Sequence, residues 1–367
     1  MNDVRHIVGC MTGSSLDAID VALVRVVGRG LAMQCDVETF GSFPLGHIRD
    51  DLRRLIAGKS VCMRTVVELG DALGHRHAEV IGMLVGNRTI DLVAAHGQTV
   101  VHEPPIGHQL LNPWPIAVRF GVPVVSSLRD ADLASGGQGA PITPLADLAL
   151  FRHPTQRRAV VNLGGFCNVT LLPACEDAQA GLDQVRGFDI CPCNHWLDRA
   201  ARALLGADFD IGGASAARGR VDPVYLAVLL DRLEHLAGES RSFGPADEEL
   251  PTSESLSAPD ALATIVRAIA ERIAEATTGV DAVLLAGGSV ANLTLVRAIG
   301  DACDVPVLDT SSAGMLPQAR EAVAMAVLGA LCQDGVAVCL PRVTGATKRV
   351  VAGSWVFPRG MKGVCDG

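Results

Sequence analysis

Aromatic residues are scarce, at 4% of this 367-residue chain, and charged residues make up only 19%. Sparse charge beside 49% apolar residues excludes a disordered chain, which needs the opposite balance. No apolar run is long enough to span a bilayer: 282–286 has the length of a strand, and 322–331 the length of a helix with charged neighbours. No secretory signal opens the chain, because residues 1–6 are polar and an apolar strand follows at once, so a cytoplasmic protein is expected. In that reducing setting the 11 cysteines, an odd number spread along the whole length, read as thiols and not as a disulfide framework. Cys191 and Cys193 lack a second Cys or His pair at matching spacing, which speaks against zinc, and no protein metal centre is expected. His96, His102 and His108 are close in sequence without defining a site. No Cys–His or Ser–His–Asp arrangement stands out, and no Gly-Lys-Ser/Thr follows the first glycine loop, which excludes a Walker loop. Finally, 31 basic residues against 40 acidic ones give a net charge of −9, which argues against nucleic acid or an anionic membrane as partner. A phosphate ligand stays open, since backbone N–H groups bind phosphate without a basic surface.

What the chain has in quantity is glycine, 39 residues of it, with abundant alanine. Small residues at tight turns and close helix–sheet contacts suit an α/β protein. The length suits two packed domains. The opening reads as strand 6–11, turn 12–17, strand 19–26 and a third strand over 32–40, an antiparallel sheet edge able to present backbone donors. Helices are expected at 45–57 and 64–85, and buried strands at 91–95 and 122–125, the second leading into a glycine-rich loop at 135–141. The pattern then restarts: strand 159–162, a Gly164-Gly165 turn, strand 169–172, a short element closed by Phe188-Asp189, helices near 195–205 and 259–278, strand 283–286 and a helix over 292–302. This weak duplication predicts two mixed-sheet domains, 1–142 and 143–367, with a cleft between them and the C-terminal end able to pack back on the first. The stretch 238–259, polar and rich in Ser, Glu and Pro, reads as a surface loop.

Four loops have the residue types for chemistry. Gly13, Ser14, Ser15, Leu16, Asp17, Ala18, Ile19 and Asp20 offer backbone donors and hydroxyls for phosphate and two carboxylates to hold Mg²⁺ through water or to position an attacking hydroxyl; a plain hairpin turn fits as well. Gly164-Gly165 repeats the strand–glycine–strand design, and two such loops have the parts to pinch a polyphosphate. Asp189 follows an apolar element and precedes a helix, so it reads as a general base or as the cap of the helix starting near Asn194. Gly287-Gly288, between a strand and a helix, suits the adenosine end of a nucleotide.

Taken in order, these loops resemble the anhydro-N-acetylmuramic acid kinases of the actin/hexokinase/Hsp70-like superfamily. The resemblance runs from about residue 6 to 353 and is carried by MTGSSLDAID (11–20), AAHGQTVVHEP (94–104), ADLASGGQGAPITP (131–144), VVNLGGFCNVTLL (160–172), GFDICPCNHWLD (187–198), LAGGSVANLTL (285–295), QAREAVAMAVLG (318–329) and VTGAT (343–347). It implies two RNase H-like domains and a kinase that uses ATP, Mg²⁺ and water to open 1,6-anhydro-N-acetylmuramic acid and phosphorylate O6, in cell-wall recycling. It implies that residues 13–20 cradle the ATP phosphates, that Asp189 activates the water, and that Glu321 is an acidic residue at the sugar. His96, Gln98, Arg129 and Asp130 then border the sugar pocket, and a homodimer is expected. The usual Gly-Thr-Ser-x-Asp-Gly and Phe-Asp-Thr-Gly-Pro-Gly-Asn patterns are altered here: Ser14 and Ala18 replace Thr and Gly, and Ile190, Cys191 and Cys193 replace Thr and two Gly. The family's Pro-Lys-Ser-x-Gly-Arg-Glu stretch has no counterpart between 238 and 256. If either lost glycine needs positive φ, a cysteine there is strained. A kinase for another anhydrosugar such as levoglucosan, or a non-catalytic nucleotide or sugar binder, are the alternatives.

Overall fold

The structure, a computed structural model, describes residues 3–13, 16–236, 243–252 and 255–358, the side chains of 245 and 246 excepted. Thirteen strands run through these residues in chain order. They are β1 (Val4–Thr12), β2 (Ala18–Val27), β3 (Gln34–Pro44), β4 (Leu92–His96), β5 (Gln98–Glu103), β6 (Ile106–Leu110), β7 (Val124–Ser126), β8 (Arg158–Leu163), β9 (Phe166–Leu172), β10 (Arg186–Pro192), β11 (Ala282–Ala286), β12 (Val307–Asp309) and β13 (Ser354–Val356). The chain forms two compact units, one of Met1–Leu150 with Glu321–Gly367 and the other of Phe151–Arg320.

The first unit is built on a six-stranded sheet in the order β13-β7-β4-β1-β2-β3. β1, β2 and β3 run antiparallel in sequence, while β4 and β7 run parallel to β1. Val8, Cys10, Val21 and Leu23 are buried on one face of this sheet with the helix Met63–Val85. The opposite face takes the helix Arg320–Gln333 at backbone distance. A Cβ at Gly9 would stand 1.9 Å from the Ala322 carbonyl oxygen, and one at Gly329 would stand 2.5 Å from Ala94 Cβ. That explains the alanine-rich stretch: larger side chains would hold the helix off β1 and β4. At the end of the helix Asp334 accepts from both Arg5 guanidinium nitrogens at 2.8 and 2.9 Å and from Gly30 N–H at 2.8 Å, so this buried carboxylate is multiply bonded.

The second unit has a five-stranded sheet in the order β10-β9-β8-β11-β12. β8, β9 and β10 are antiparallel, and β11 and β12 continue parallel to β8. Both sheets therefore run third, second, first, fourth, fifth, the duplication expected from the sequence, with β13 added at the edge of the first. The helix Ala258–Ala276 starts at Ser257, whose Oγ accepts from Asp260 N–H, and buries Leu262, Ile265, Ile269 and Ile273.

Several elements differ from the sequence expectation. β3 is longer and later than 32–40, and 45–57 is a 3₁₀ turn followed by a helix over Arg49–Ile56. Residues 98–110, to which the sequence pattern assigns no element, pair as the hairpin β5–β6. The element expected to close at Phe188-Asp189 continues to Pro192 through a β-bulge between Asp189 and Cys191. The three-residue strands β12 and β13 were not expected; their pairing across the sheets, and not their own patterning, defines them.

Candidate functional site

In the first unit the β1–β2 connection forms the first loop. Leu16 N–H donates to the Gly13 carbonyl at 3.3 Å, and Leu16 is buried at φ 56°, a left-handed conformation that non-glycine residues seldom adopt. Ser14 and Ser15 lie outside the described residues. Asp17 pairs with Arg49, and its carbonyl accepts from Leu45 N–H at 3.4 Å. Ala18 opens β2, Ile19 is buried opposite Thr12, and Asp20 stands opposite Met11. Burial pushes the Asp20 carboxyl up, and the Ser42 hydroxyl beside it opposes that shift. Below the loop His77 is fully buried: Nδ1 lies 2.8 Å from the Leu73 carbonyl and Nε2 lies 3.3 Å from Thr12 Oγ1. The carbonyl can only accept, so Nδ1 bears the proton and Nε2 accepts from the Thr12 hydroxyl. Burial pushes His77 down to about 4, consistent with that neutral ring.

Register brings the expected sugar-side residues to the same end of the sheet. Met11 of β1 pairs with Asp20 of β2 on one side and with His96 of β4 on the other. Arg129 Nε donates to His96 Nε2 at 2.9 Å, and Arg129 Nη1 donates to the Gly139 carbonyl at 2.8 Å. Nδ1 of His96 therefore bears the ring proton, is buried, and has no aligned hydrogen-bond partner. Burial first, then the Arg129 charge, push His96 down to about 3. Gln98 Oε1, both amide atoms of Gln109 and both ring nitrogens of His102 are also buried without hydrogen bonds. Burial and Arg129 push His102 down to about 4. Buried polar atoms are nearly always bonded, so this concentration marks a place for a polar ligand or water. His102, read from sequence as undiagnostic, and Gln109 join the candidate site on this observation; only the β5–β6 pairing reveals them. Asp130 opens a short helix after Ser127, whose φ is 53°, and burial pushes its carboxyl up while His108 opposes. Glu321 enters the first turn of Arg320–Gln333, next to the Ala322 contact with Gly9.

In the second unit the remaining loops join directly. The Gly164 carbonyl accepts from Asn194 N–H at 3.1 Å, and the Gly165 carbonyl accepts from Cys193 N–H at 2.9 Å and His195 N–H at 3.2 Å. These are the first donors of the helix Asn194–Leu205, so the helix end holds the glycine turn by its carbonyls. Ser289 Oγ donates to Asn194 Oδ1, which ties the Gly287-Gly288 loop to the same helix. Gly287, at φ 90°, lies so close to β8 that a Cβ would stand 2.7 Å from the Leu163 carbonyl oxygen; at Gly288 a Cβ would meet nothing within 4 Å. Asn162 Oδ1 is buried there without a hydrogen bond.

Asp189 lies in β10 opposite Asn168, with Ile190 as the bulge residue. It does not cap the following helix: the N-cap is Cys193, with no side-chain cap bond. Bulges re-aim side chains, and this one is placed at the residue expected to act as base. Asp189 Oδ2 accepts from Phe243 N–H at 2.7 Å. Part of the stretch 238–259, expected as a surface loop, thus reaches Asp189; residues 238–242, 253 and 254 lie outside the described residues. Phe243 is buried, edge-on to Phe166 at 5.6 Å, and Glu248 stands 3.6 Å from His195. Cys193 has φ −119°, and Cys191 is not among the positive-φ residues, so neither cysteine is strained in the way a lost positive-φ glycine would require. Both are buried with Cys167, whose thiol is pushed up by burial and by its two neighbours. No disulfide joins cysteines among the described residues, and no cluster of three metal-ligating side chains is found there.

Two sheets of one topology, each opening on a hairpin turn and carrying its polar loops there, define an α/β protein with two RNase H-like domains of the actin/hexokinase type. The sequence profile of the family described as anhydro-N-acetylmuramic acid kinase matches residues 5–358. The chain is 37% identical to the anhydro-N-acetylmuramic acid kinase of Salinibacter ruber, covering 96% of each protein. It is 34% identical to that of Streptomyces coelicolor (95% of this chain, 93% of the relative) and 33% identical to that of Cyanothece sp. (95% and 98%). The chain belongs to the anhydro-N-acetylmuramic acid kinase family.

Proposed function

We propose that this chain is a cytoplasmic ATP-dependent kinase that opens 1,6-anhydro-N-acetylmuramic acid with water and phosphorylates O6, releasing ADP and N-acetylmuramic acid 6-phosphate for cell-wall recycling. The observation that carries this is the family match over residues 5–358, and reading Asp189 as the base is supported by the β-bulge that begins at it and by its carboxylate accepting from Phe243 N–H. Asp189 takes a proton from the water that attacks C1. The C1–O6 bond breaks, its electron pair stays on O6, and O6 attacks the γ-phosphorus as ADP leaves. The unbonded donors and acceptors of His96, Gln98, His102 and Gln109, with Arg129, Asp130 and Glu321, serve the sugar's hydroxyl, amide and carboxylate groups. The Gly13 and Gly164-Gly165 turns supply backbone N–H groups to the phosphates, and the open face at Gly288 takes the adenosine end.

Magnesium offsets charge on the phosphates when bound. Asp17 and Asp20, the carboxylates of the first loop, are the residues that would hold it through water, and Asp17 already draws a cation, the Arg49 guanidinium. No helix among the described residues is long and apolar enough to cross a membrane. The family resemblance adds a homodimer, which sedimentation of the purified chain checks.

The test is ADP release with ATP-Mg²⁺ and a panel of anhydrosugars. Turnover confined to the muramyl sugar is expected. Turnover confined to levoglucosan or another anhydrosugar would reassign the substrate, and ATP binding without turnover would make the chain a binder.

A further inference from the structure

His195 is the first residue after Asn194 in the helix that holds the second glycine turn, and its ring lies on that turn. A Cβ at Gly165 would come within 2.4 Å of His195 Nε2, so the imidazole covers the position where any other residue would put its side chain. The ring is held by Phe166, with centroids 4.6 Å apart and planes at 57°. Nε2 is buried and makes no hydrogen bond; Glu248 Oε1, at 3.6 Å, is within ion-pair range but too far to accept one. A second buried orphan, Asn162 Oδ1, belongs to the strand that leads into this turn and faces Gly287, on a residue only 4% exposed. A buried histidine nitrogen turned to a glycine turn with no bonded partner is placed to donate to an anion, and Glu248 favours the proton this needs.

We propose that His195 Nε2–H donates to a phosphoryl oxygen of the nucleotide held at Gly164-Gly165, and that the ring gains a proton as the nucleotide binds. This rests on the assignment of that turn to phosphate. The charged groups facing the ring are Glu248 from the segment after Phe243, which favours the proton, and Arg202 from the ring's own helix, which disfavours it. Burial, joined by Arg202, outweighs Glu248 and holds the ring below the ordinary histidine value. A phosphate dianion reverses the balance by adding negative charge at Nε2.

The experiment is calorimetric titration of the full-length chain with ATP-Mg²⁺ at pH 7 in two buffers of different ionisation heat, which counts the protons taken up on binding. Wild type is expected to take up a substantial fraction of a proton more than His195→Gln, and His195→Phe to bind about tenfold more weakly, the loss of one charge-assisted hydrogen bond. Gln, which keeps an N–H donor, recovers part of that affinity without the proton uptake. Equal proton uptake in wild type and His195→Gln overturns the proposal. So does weaker binding by His195→Phe with wild-type proton uptake, which would make the ring a structural prop. Unchanged affinity in both variants, with wild type binding ATP, defeats this contact alone; no binding by wild type defeats the phosphate assignment beneath it.

Discussion

Leu16 and Ser127 are the non-glycine residues with positive φ among the described residues, and each lies in a loop singled out by sequence. Such conformations cost on the order of 1–3 kcal/mol each and persist where the surroundings impose them. In the proposed mechanism the chemistry turns on Asp189. Asp189→Asn keeps the size and the Phe243 contact but loses the base, so turnover should fall by at least about 10²-fold while ATP affinity, measured by calorimetry, stays near wild type. Wild-type turnover in that variant would remove Asp189 from the mechanism. His77, His96 and His102 are held neutral, with values pushed to about 4, 3 and 4. In the unfolded chain they titrate near the ordinary 6.5, so below that pH the unfolded state binds more protons than the folded one. Stability is full above about pH 6.5 and falls as pH drops toward 4, by roughly 3 kcal/mol from His77 alone once its folded value is passed. Thermal melts from pH 7 to 4 should show this fall, and His77→Gln should make it shallower while His96 and His102 keep their share.

At the scale of elements, the strands that carry apolar runs were readable: β1, β2, β4, β8 and β11 are buried over most of their length and lie where the pattern places them. The β10 bulge was not, because nothing in Phe188-Asp189-Ile190-Cys191 distinguishes a regular strand from one that gains a residue against β9. The β5–β6 hairpin was hidden in the same way, its short alternating strands being joined through Pro104-Pro105. The seat of the helix Arg320–Gln333 on β1 supplies a test. Gly9→Val should push the helix off the sheet, since even a Cβ would overlap the Ala322 carbonyl oxygen, and should lower stability by about 3 kcal/mol or more or prevent soluble expression. A Gly9→Val variant melting within a few degrees of wild type would show that the helix does not sit as described. Gly165→Ala is expected to displace the His195 ring and weaken ATP binding more than it lowers the melting temperature.

For the whole molecule, the repeated glycine turns, the doubled topology and the order of eight segments were enough to read fold and family from sequence, because turns that need glycine and strands buried on both faces leave direct marks. The candidate site draws on sequence and on folding in different ways. His96, Gln98, Arg129, Asp130 and Asp189 became candidates through the family resemblance, whereas Gln109, His102, His195 and Phe243 gain meaning only from what folding sets beside them. The altered cysteines were the main objection to activity, and their backbone angles remove the strain it relied on. The central claim is that water opens the anhydro bond while O6 takes the phosphoryl group. Its most direct measurement is the mass of the product formed from 1,6-anhydro-N-acetylmuramic acid and ATP-Mg²⁺ in ¹⁸O-water, read early, before the anomeric hydroxyl exchanges with solvent. The account predicts one ¹⁸O in the phosphorylated sugar, at C1, and none in its phosphate group. Label appearing in inorganic phosphate with the sugar unchanged, or a phosphorylated sugar without label, would contradict it.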